Sequence, residues 1–554
     1  MVFTRYHGEP RTNEAMNGDG SGDGGAGRRF AATATPGGYA KGNDGNGQGP
    51  NGATGTGFGY MFPDLLADPD NLLPAGPGTI AALRALGAAM ATEDSAATGD
   101  GVVPAAYTYF GQFIDHDITK TAFSPDITAG LDLIEAHSFA PIAQDRVTSL
   151  LSNARTSALD LDSLYGGLAL EATEPDGHMR LGKVTSDSSI PGPIAVATPE
   201  HDLPRRPQNP SPASLEEVAQ DREALIGDPR NDENLIVGQL HVAFLRAHNA
   251  LLDRLGNADE AKRALRRRYQ WAALHDFVPR ICGEAVYGGL VADGPQFFHA
   301  DHPADLVIPL EFSGAAYRFG HSMIRQSYEH NSTFRTGGLT PATFNFMFTF
   351  TALSGDISAQ PGPGGSPTLP DNWIIEWHRF FNQDPDDPAS PSENPARKID
   401  THLALELARL PSAFGETQVN ELMGRLAARN LLRGYLLGLP TGQAVAARMG
   451  ETPIAPDDLR ALVTGEALDL CEKEGLFDRT PLWFYVLAEA ELEAEGQHLG
   501  RVGGTIVAET LWQMVRHSRD SVLINPPDAD ELATGEFTLR GIVKLGQDTL
   551  LPPL

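Results

Sequence analysis

The sequence predicts one large, mainly α-helical domain with long loops and little β-structure, and three observations carry that expectation. Apolar residues recur at helical spacing in seven stretches, strand-like alternation is sparse and local, and the links between helices are long, polar and proline-rich. The first stretch is TIAALRALGAAMA, residues 79–91. The others run from Ala106 to Thr119, Asn234 to Leu255, Ala261 to Gly283, Glu416 to Leu437, Pro481 to Glu495 and Gly504 to Arg516. Two of the links, PEHDLPRRPQNPSPAS and SAQPGPGGSPTLPDN, have the length of loops that carry function. Ahead of all this, residues 1–57 are dominated by Gly, Asp and Asn (GDGSGDGGAG), which cannot bury enough apolar surface to offset chain entropy. They are expected to form a flexible arm, with residues 58–554 as a single domain.

Composition narrows the function classes. The 554 residues carry a formal net charge of -30 and no basic stripe, which works against nucleic acid or an anionic membrane as partner. The two cysteines, Cys282 and Cys471, exclude a disulfide framework or a Cys-rich zinc site and are expected to be small core residues. The N-terminus lacks the apolar segment of a secretory signal, and no run of 18 or so apolar residues suggests a membrane span. The expectation is a soluble protein of a reducing, bacterium-like cytosol, or one exported without a leader.

The first chemical constellation is Thr108-Tyr-Phe-Gly-Gln-Phe-Ile-Asp-His-Asp-Ile-Thr119. Gln112 and His116 are four apart and share a helix face, while Asp115 and Asp117 lie about 100° to either side of the histidine. Two carboxylates straddling a buried histidine each need a cation, a covalent partner or water. A solvated helix face is the bland alternative, against which stand Tyr109, Phe110, Phe113, Ile114 and Ile118. GQFIDHDIT resembles the distal-helix motif of animal-type haem peroxidases of the peroxidase–cyclooxygenase superfamily. That resemblance implies haem b as cofactor, His116 as distal acid/base and Gln112 at the substrate site. It also implies Asp115 as a carboxylate able to form an ester with a haem methyl group, and Asp117 as a calcium ligand.

Three further segments fit the same resemblance. Arg155 to Gly166 spaces oxygen donors at Thr156, Asp160 and Asp162, chemistry that suits calcium, although an exposed acidic turn would read the same. The segment is similar to the family's calcium loop, with Ala158 offering its carbonyl. Gly227-Asp-Pro-Arg-Asn-Asp-Glu-Asn234 holds Arg230 rigidly at a helix entrance, where a permanent cation can polarise a peroxide bond or simply pair with Asp228 or Asp232. In the resemblance Glu233 is the second ester-forming carboxylate. Asn234 stands where myeloperoxidase has the methionine of its sulfonium link. Finally, Ala315-Ala-Tyr-Arg-Phe-Gly-His-Ser-Met-Ile324 resembles the proximal segment, implying His321 as iron ligand, Asn430 as its hydrogen-bond partner and Arg433 as a haem-propionate contact. His241, His248, His275 and His378 lie in helical, partly apolar stretches and are expected to be structural.

The implied activity is peroxidase chemistry: reduction of hydrogen peroxide through a ferryl intermediate and oxidation of bromide, iodide, thiocyanate or phenols. Two alternatives stay open. A fatty-acid dioxygenase of the same superfamily would carry a tyrosine three residues before the proximal histidine, where this chain has Arg318, with Tyr317 one further back. A calcium-stabilised binding or adhesion protein with an inactive haem site would not need His116, Arg230, Gln112 and His321 together.

Overall fold

Helices form where the apolar spacing placed them, and their ends follow from local capping. The computed structural model describes residues 57–91, 99–123, 140–186, 192–209, 221–351, 367–384, 391–408 and 425–554, with isolated positions between 211 and 220. The expected arm, apart from its last residue, and residues 416–424 of one expected helix lie outside them. Ten helices of eight residues or more occur among the described residues. They are α1 (Pro77–Ala89), α2 (Ala105–Ile118), α3 (Leu235–Leu255), α4 (Ala258–Ala272), α5 (Glu284–Asp293), α6 (Leu426–Leu436), α7 (Gly442–Met449), α8 (Gly465–Lys473), α9 (Leu482–Ala494) and α10 (Arg501–Arg516). The mainly α expectation therefore holds.

Capping decides the boundaries of the central pair. α3 starts at Asn234, whose side chain accepts from the Val237 amide, and stops at Gly256 in the left-handed conformation (φ 68°). α4 begins one residue later, with Asn257 accepting from the Asp259 and Glu260 amides. The helix expected over 261–283 is three pieces: α4, a π turn at Ala273–Phe277, and a short helix at Val278–Cys282. The three helices not anticipated, α5, α7 and α8, are short. In α5 only Leu290 is buried, so no one-sided apolar pattern marked it.

α2 is the buried axle of the molecule, with every residue from Ala105 to Ile118 buried. It packs against α3, and α3 against α4 and a C-terminal helix, Leu539–Leu545. Aromatic rings fasten the contact: Phe113 stacks on Phe244 at 4.6 Å, and Tyr269 meets Phe110, Phe113 and Phe244 edge-on at about 6 Å. Each such pair contributes roughly 0.5–1.5 kcal/mol beyond area burial. α3 is long and apolar enough to cross a membrane, a point the search for unbroken apolar runs passed over. Yet 83% of its apolar window is buried inside the protein, as a central core helix requires.

Among the described residues the named strands form four two-stranded ladders. Phe58–Gly59 pairs in parallel with Ile308–Pro309, and three antiparallel pairs join Asp100–Pro104 to Pro395–Arg397, Thr121–Phe123 to Leu151–Asn153, and Ser327–Tyr328 to Ala342–Thr343. Both cysteines are free and buried in the core, as their apolar contexts implied. The ladder that follows α2 matters most here, because it leads the chain directly into the 155–166 loop.

Candidate functional site

Each expected site residue sits on an element whose position is fixed by packing. His116 lies in the last turn of α2, fully buried, and its Nδ1 meets Oδ1 of Asn231 at 2.8 Å. An amide oxygen only accepts, so the ring proton is at Nδ1. Its Nε2 has no hydrogen-bond partner among the described residues. Burial, reinforced by the nearby Arg230 cation, holds this histidine well below its usual range, so it is neutral at physiological pH.

Arg230 is held by a turn rather than by a helix. The 3-10 turn Pro229–Asp232 is capped by Asp228, whose carboxylate accepts from the Arg230 amide and, at 3.0 and 2.8 Å, from its Nε and one terminal nitrogen. The same terminal nitrogen reaches the carbonyls of His116 (3.2 Å) and Thr119 (2.5 Å). Asp228 also pairs with Arg155 at 2.5 Å and, despite burial that opposes it, stays ionised far below the usual carboxylate range because two guanidinium groups face it. Thus Arg230 pairs with Asp228 and is also tied to the end of α2. Asp232 is taken instead by Arg205.

The next residues line the same region. Both carboxyl oxygens of Glu233 are buried with no hydrogen-bond partner among the described residues, and burial pushes this acid well above its usual range, so it is uncharged. Asn234 donates through Nδ2 to Oε1 of Gln112 at 3.1 Å while capping α3 with its own oxygen. That fixes the Gln112 amide with Nε2 turned away, again buried and without a partner among the described residues. Asp115 differs from Glu233 in having one oxygen engaged, accepting from the Thr119 hydroxyl at 2.7 Å.

Two residues escaped the sequence reading. Asn231 bridges His116 to His241, its Nδ2 meeting Nδ1 of His241 at 3.0 Å. His241, expected to be only structural, therefore stands one side chain away from His116. Asn231 sits in a run, Asn-Asp-Glu-Asn, that reads as a solvated turn, and nothing in the sequence separates it from its polar neighbours. Of the other histidines, His248 binds the Tyr165 hydroxyl and the Gly177 carbonyl and His275 the Tyr287 hydroxyl, whereas Nδ1 of His378 is buried with no hydrogen-bond partner among the described residues.

In the 155–166 loop, Asp117 does not point at solvent. Its two oxygens accept from the amides of Leu161 and Ser163 at 3.0 Å each, and Leu161 is held in the left-handed region at φ 59°. A branched residue there costs about 1–2 kcal/mol, which the paired amides offset. Thr156 donates to Asp162 at 2.5 Å. Burial, with Asp162 and Asp160 close by, raises Asp117 to about 7. Asp160 departs from the set, accepting from the Arg519 amide and facing Arg266. Among the described residues no three His, Cys, Asp or Glu side chains gather closely enough to hold a metal by themselves. Asp117, Thr156 and Asp162 fit a shared cation, with the Ala158 carbonyl as a further donor, and Asp160 fits less well.

On the opposite side His321 ends the 3-10 helix Ala316–His321, fully buried, and its Nδ1 meets Nδ2 of Asn430 on α6 at 2.8 Å. Arg318 reaches the Asn430 oxygen at 3.3 Å and the Ser313 carbonyl at 2.9 Å. Burial and the adjacent Arg318 hold His321 well below the usual histidine range, with Arg429 and Arg433 acting in the same direction. Trp483 meets the His321 ring edge-on at 6.3 Å. The two sides are joined by Tyr317, whose hydroxyl donates to the Gly111 carbonyl of α2 at 3.2 Å, one residue before Gln112. Hydrogen bonds thus link α2 to the 155–166 loop, to Arg230 and, through Tyr317, to the segment that carries His321.

Residues 138–352 match the family model described as animal haem peroxidase. The chain therefore carries a segment similar to animal haem peroxidases. That segment takes in the 156–162 loop, Arg230, Glu233 and His321, while α2 and Asn430 lie outside it. The chain is similar to a peroxidase-like protein of Margaritifera margaritifera, 26% identical over 303 residues, which are 46% of this chain and 35% of that protein. It is also similar to a dual oxidase of Drosophila melanogaster, 30% identical over 128 residues, or 21% of this chain and 8% of that protein. The chain therefore spans about a third or less of the length of these curated relatives. Among solved structures, peroxidase A of Dictyostelium discoideum superimposes with a TM-score of 0.55 over 93% of this chain and 98% of that one, at 17% identity. The peroxidase segment thus sits within a fold shared along nearly the whole chain.

Proposed function

We propose that the protein is a haem peroxidase that reduces hydrogen peroxide and oxidises small anions or phenols. One observation carries the reading: Nε2 of His116, Nε2 of Gln112 and both oxygens of Glu233 are buried polar atoms without partners among the described residues. Such atoms cost roughly 1–3 kcal/mol each when left unsatisfied, so a protein keeps a group of them where something else is meant to meet them. Haem is the group this donor set suits, with His321 as the residue that would hold it and Arg433 as a further contact. When bound, it would supply the electrons that cleave the peroxide bond.

The chain's own residues then have distinct tasks. Neutral His116 takes the peroxide proton at Nε2 and returns it to the departing oxygen. Arg230, charged and immobile, stabilises negative charge as it develops beside His116. Gln112, oriented by Asn234, presents an N–H donor to an incoming anion or phenol. Glu233, with both oxygens free of partners among the described residues, suits an ester with the haem better than Asp115, which already holds Thr119. Asn234 carries no sulfur for a third link, so bromide, iodide, thiocyanate and phenols should be oxidised more readily than chloride. A calcium ion on Asp117, Thr156, Asp162 and Ala158 would brace the end of α2. Retention of His116, Arg230, Gln112 and His321 in one site speaks against an inactive haem scaffold, and Arg318 in place of a radical-bearing tyrosine speaks against a dioxygenase.

The deciding experiment is a titration of the purified protein with haem, followed by peroxide and a donor panel. A Soret band that shifts on adding peroxide, with donor oxidation, supports the reading; absence of haem binding overturns it. Acid–acetone extraction after turnover should leave haem on the protein, and Glu233→Gln should release it more fully than Asp115→Asn. Desalted protein should hold roughly one calcium per chain.

A further inference from the structure

A histidine that serves as a base must show a bare nitrogen to its substrate, and nothing in an isolated imidazole decides which nitrogen that is. Here the decision is made two side chains away. Nδ1 of His116 meets Oδ1 of Asn231 at 2.8 Å, and Nδ2 of Asn231 meets Nδ1 of His241 at 3.0 Å. All three side chains are buried, with no measurable exposure. The amide has one accepting and one donating end, so the two rings cannot choose their tautomers independently. If His241 accepts at Nδ1, Asn231 must accept from His116, and His116 then carries its proton at Nδ1. If the amide turned over, His116 would present an N–H instead of a lone pair and could not take a proton at Nε2.

We infer that Asn231 and His241 are positioning residues that set the tautomer of His116, leaving its Nε2 as the only bare nitrogen of that ring. Three features hold the arrangement. The Asn231 backbone lies in the capped turn that also anchors Arg230, so its side chain is delivered with the cation. His241 sits in the second turn of α3, packed against Phe113 with ring centroids 5.9 Å apart, and its Nε2 is buried with no hydrogen-bond partner among the described residues, so Asn231 is the partner its ring meets. Burial lowers His241 to about 3, so it stays neutral across the physiological range and can accept at Nδ1, the nitrogen that Nδ2 of Asn231 meets. An aspartate in place of Asn231 would also accept from His116, but it would introduce a second buried carboxylate beside Asp228. An amide fixes the tautomer without adding charge.

The inference deepens the peroxidase reading for its kinetic consequence, and its structural half is independent of that reading. In haem-free protein labelled with [15N]histidine, long-range proton–nitrogen spectra should show His116 protonated at Nδ1 and His241 at Nε2. His116→Gln and His241→Gln, each of which removes one set of signals, assign them. Asn231→Leu should abolish that fixed pattern for His116. His116 protonated at Nε2 in the wild type, or unchanged by Asn231→Leu, overturns the inference whether or not haem binds. In haem-loaded protein, hydrogen cyanide must give up its proton on binding, so its association rate reads the bare Nε2. Asn231→Leu and His241→Leu should each slow cyanide association roughly tenfold or more at pH 7. His241→Gln, whose amide oxygen still accepts from Asn231, should stay within about threefold of the wild type. Equal slowing by His241→Leu and His241→Gln would reduce His241 to a packing residue and overturn its part. A wild type that takes up no haem would refute the peroxidase reading alone, with the tautomer spectra still deciding this one.

Discussion

His116 with Asn231 and His321 with Asn430 are buried histidine–asparagine pairs of identical length, and they are wired in opposite senses. Asn231 accepts from His116, whereas Asn430 turns its NH2 group toward His321, each at 2.8 Å. The neighbours differ too. Beyond Asn231 lies a neutral histidine; around His321 lie Arg318, Arg429 and Arg433. The first arrangement leaves a lone pair at Nε2 of His116. The second, with Arg318 holding the Asn430 oxygen, leaves a proton at Nε2 of His321. Ligation of iron through that Nε2 requires the proton to move to Nδ1 and the Asn430 amide to make a half-turn away from Arg318. In the proposed function the same two residue types would give a fixed base on one side and an adjustable ligand on the other.

The sharpest way to break this comparison is to remove each ring. His321→Ala should abolish the Soret band, while His116→Ala should keep it and lose about 10²–10⁴-fold in the rate of peroxide reduction. Loss of haem from both variants to the same degree would erase the distinction. Next in size is Asp228→Asn. It leaves Arg230 and Arg155 buried without their carboxylate, and should cost about 3–5 kcal/mol in urea unfolding together with peroxide reactivity. A well-folded variant of normal stability would show that the turn does not depend on that ion pair. On the other side, Asn430→Leu should weaken haem affinity about 10–100-fold, and Asn430→Asp, which can accept from Nδ1, should bind haem more tightly than Asn430→Leu. Equal affinities would mean that the amide does not orient the ring.

The smallest effect is remote from both pairs. Glu311 is buried and accepts from the Met61 and Phe62 amides, and burial raises it to about 7 from an ordinary value of 4.5. A carboxyl with a raised folded pKa binds its proton more tightly in the folded state. Stability should therefore fall as pH rises from about 4.5 to 7, by roughly 3 kcal/mol, and stay lower above that. Glu311→Gln should flatten this dependence in thermal unfolding between pH 5 and 8. An unchanged slope would assign the pH dependence to other carboxyls.

Much of this was legible in the sequence. The 3.6-residue spacing located α1, α2, α3, α4, α6, α9 and α10 because apolar residues recur at helical spacing in each, even in α2, which is buried on every side. GQFIDHDIT, GDPRNDEN and RFGH marked residues that the fold does bring together. What stayed hidden has common causes. Asn231 and Asn234 act through the direction of an amide, which composition cannot show. The structural part given to His241 came from its apolar neighbours, which also describe a residue seated behind a catalytic base. α5 lacked an apolar face, and the π turn after α4 changes register without changing periodicity enough to notice. The departure of Asp160 toward Arg266 and Arg519 depends on residues more than 100 positions away in sequence.

The clamp that Asp117 forms on the amides of Leu161 and Ser163 has a consequence for the order in which parts come together. Leu161 gains nothing from its left-handed backbone until a carboxylate is there to receive the two amides, and that carboxylate is carried on α2. The loop therefore acts as a gauge of docking, shaped only once α2 is seated. Its two amides should exchange with solvent together, at a rate set by openings of α2 and not by local fraying of the loop. Any event that loosens the axle, at whichever end it begins, would be reported there first.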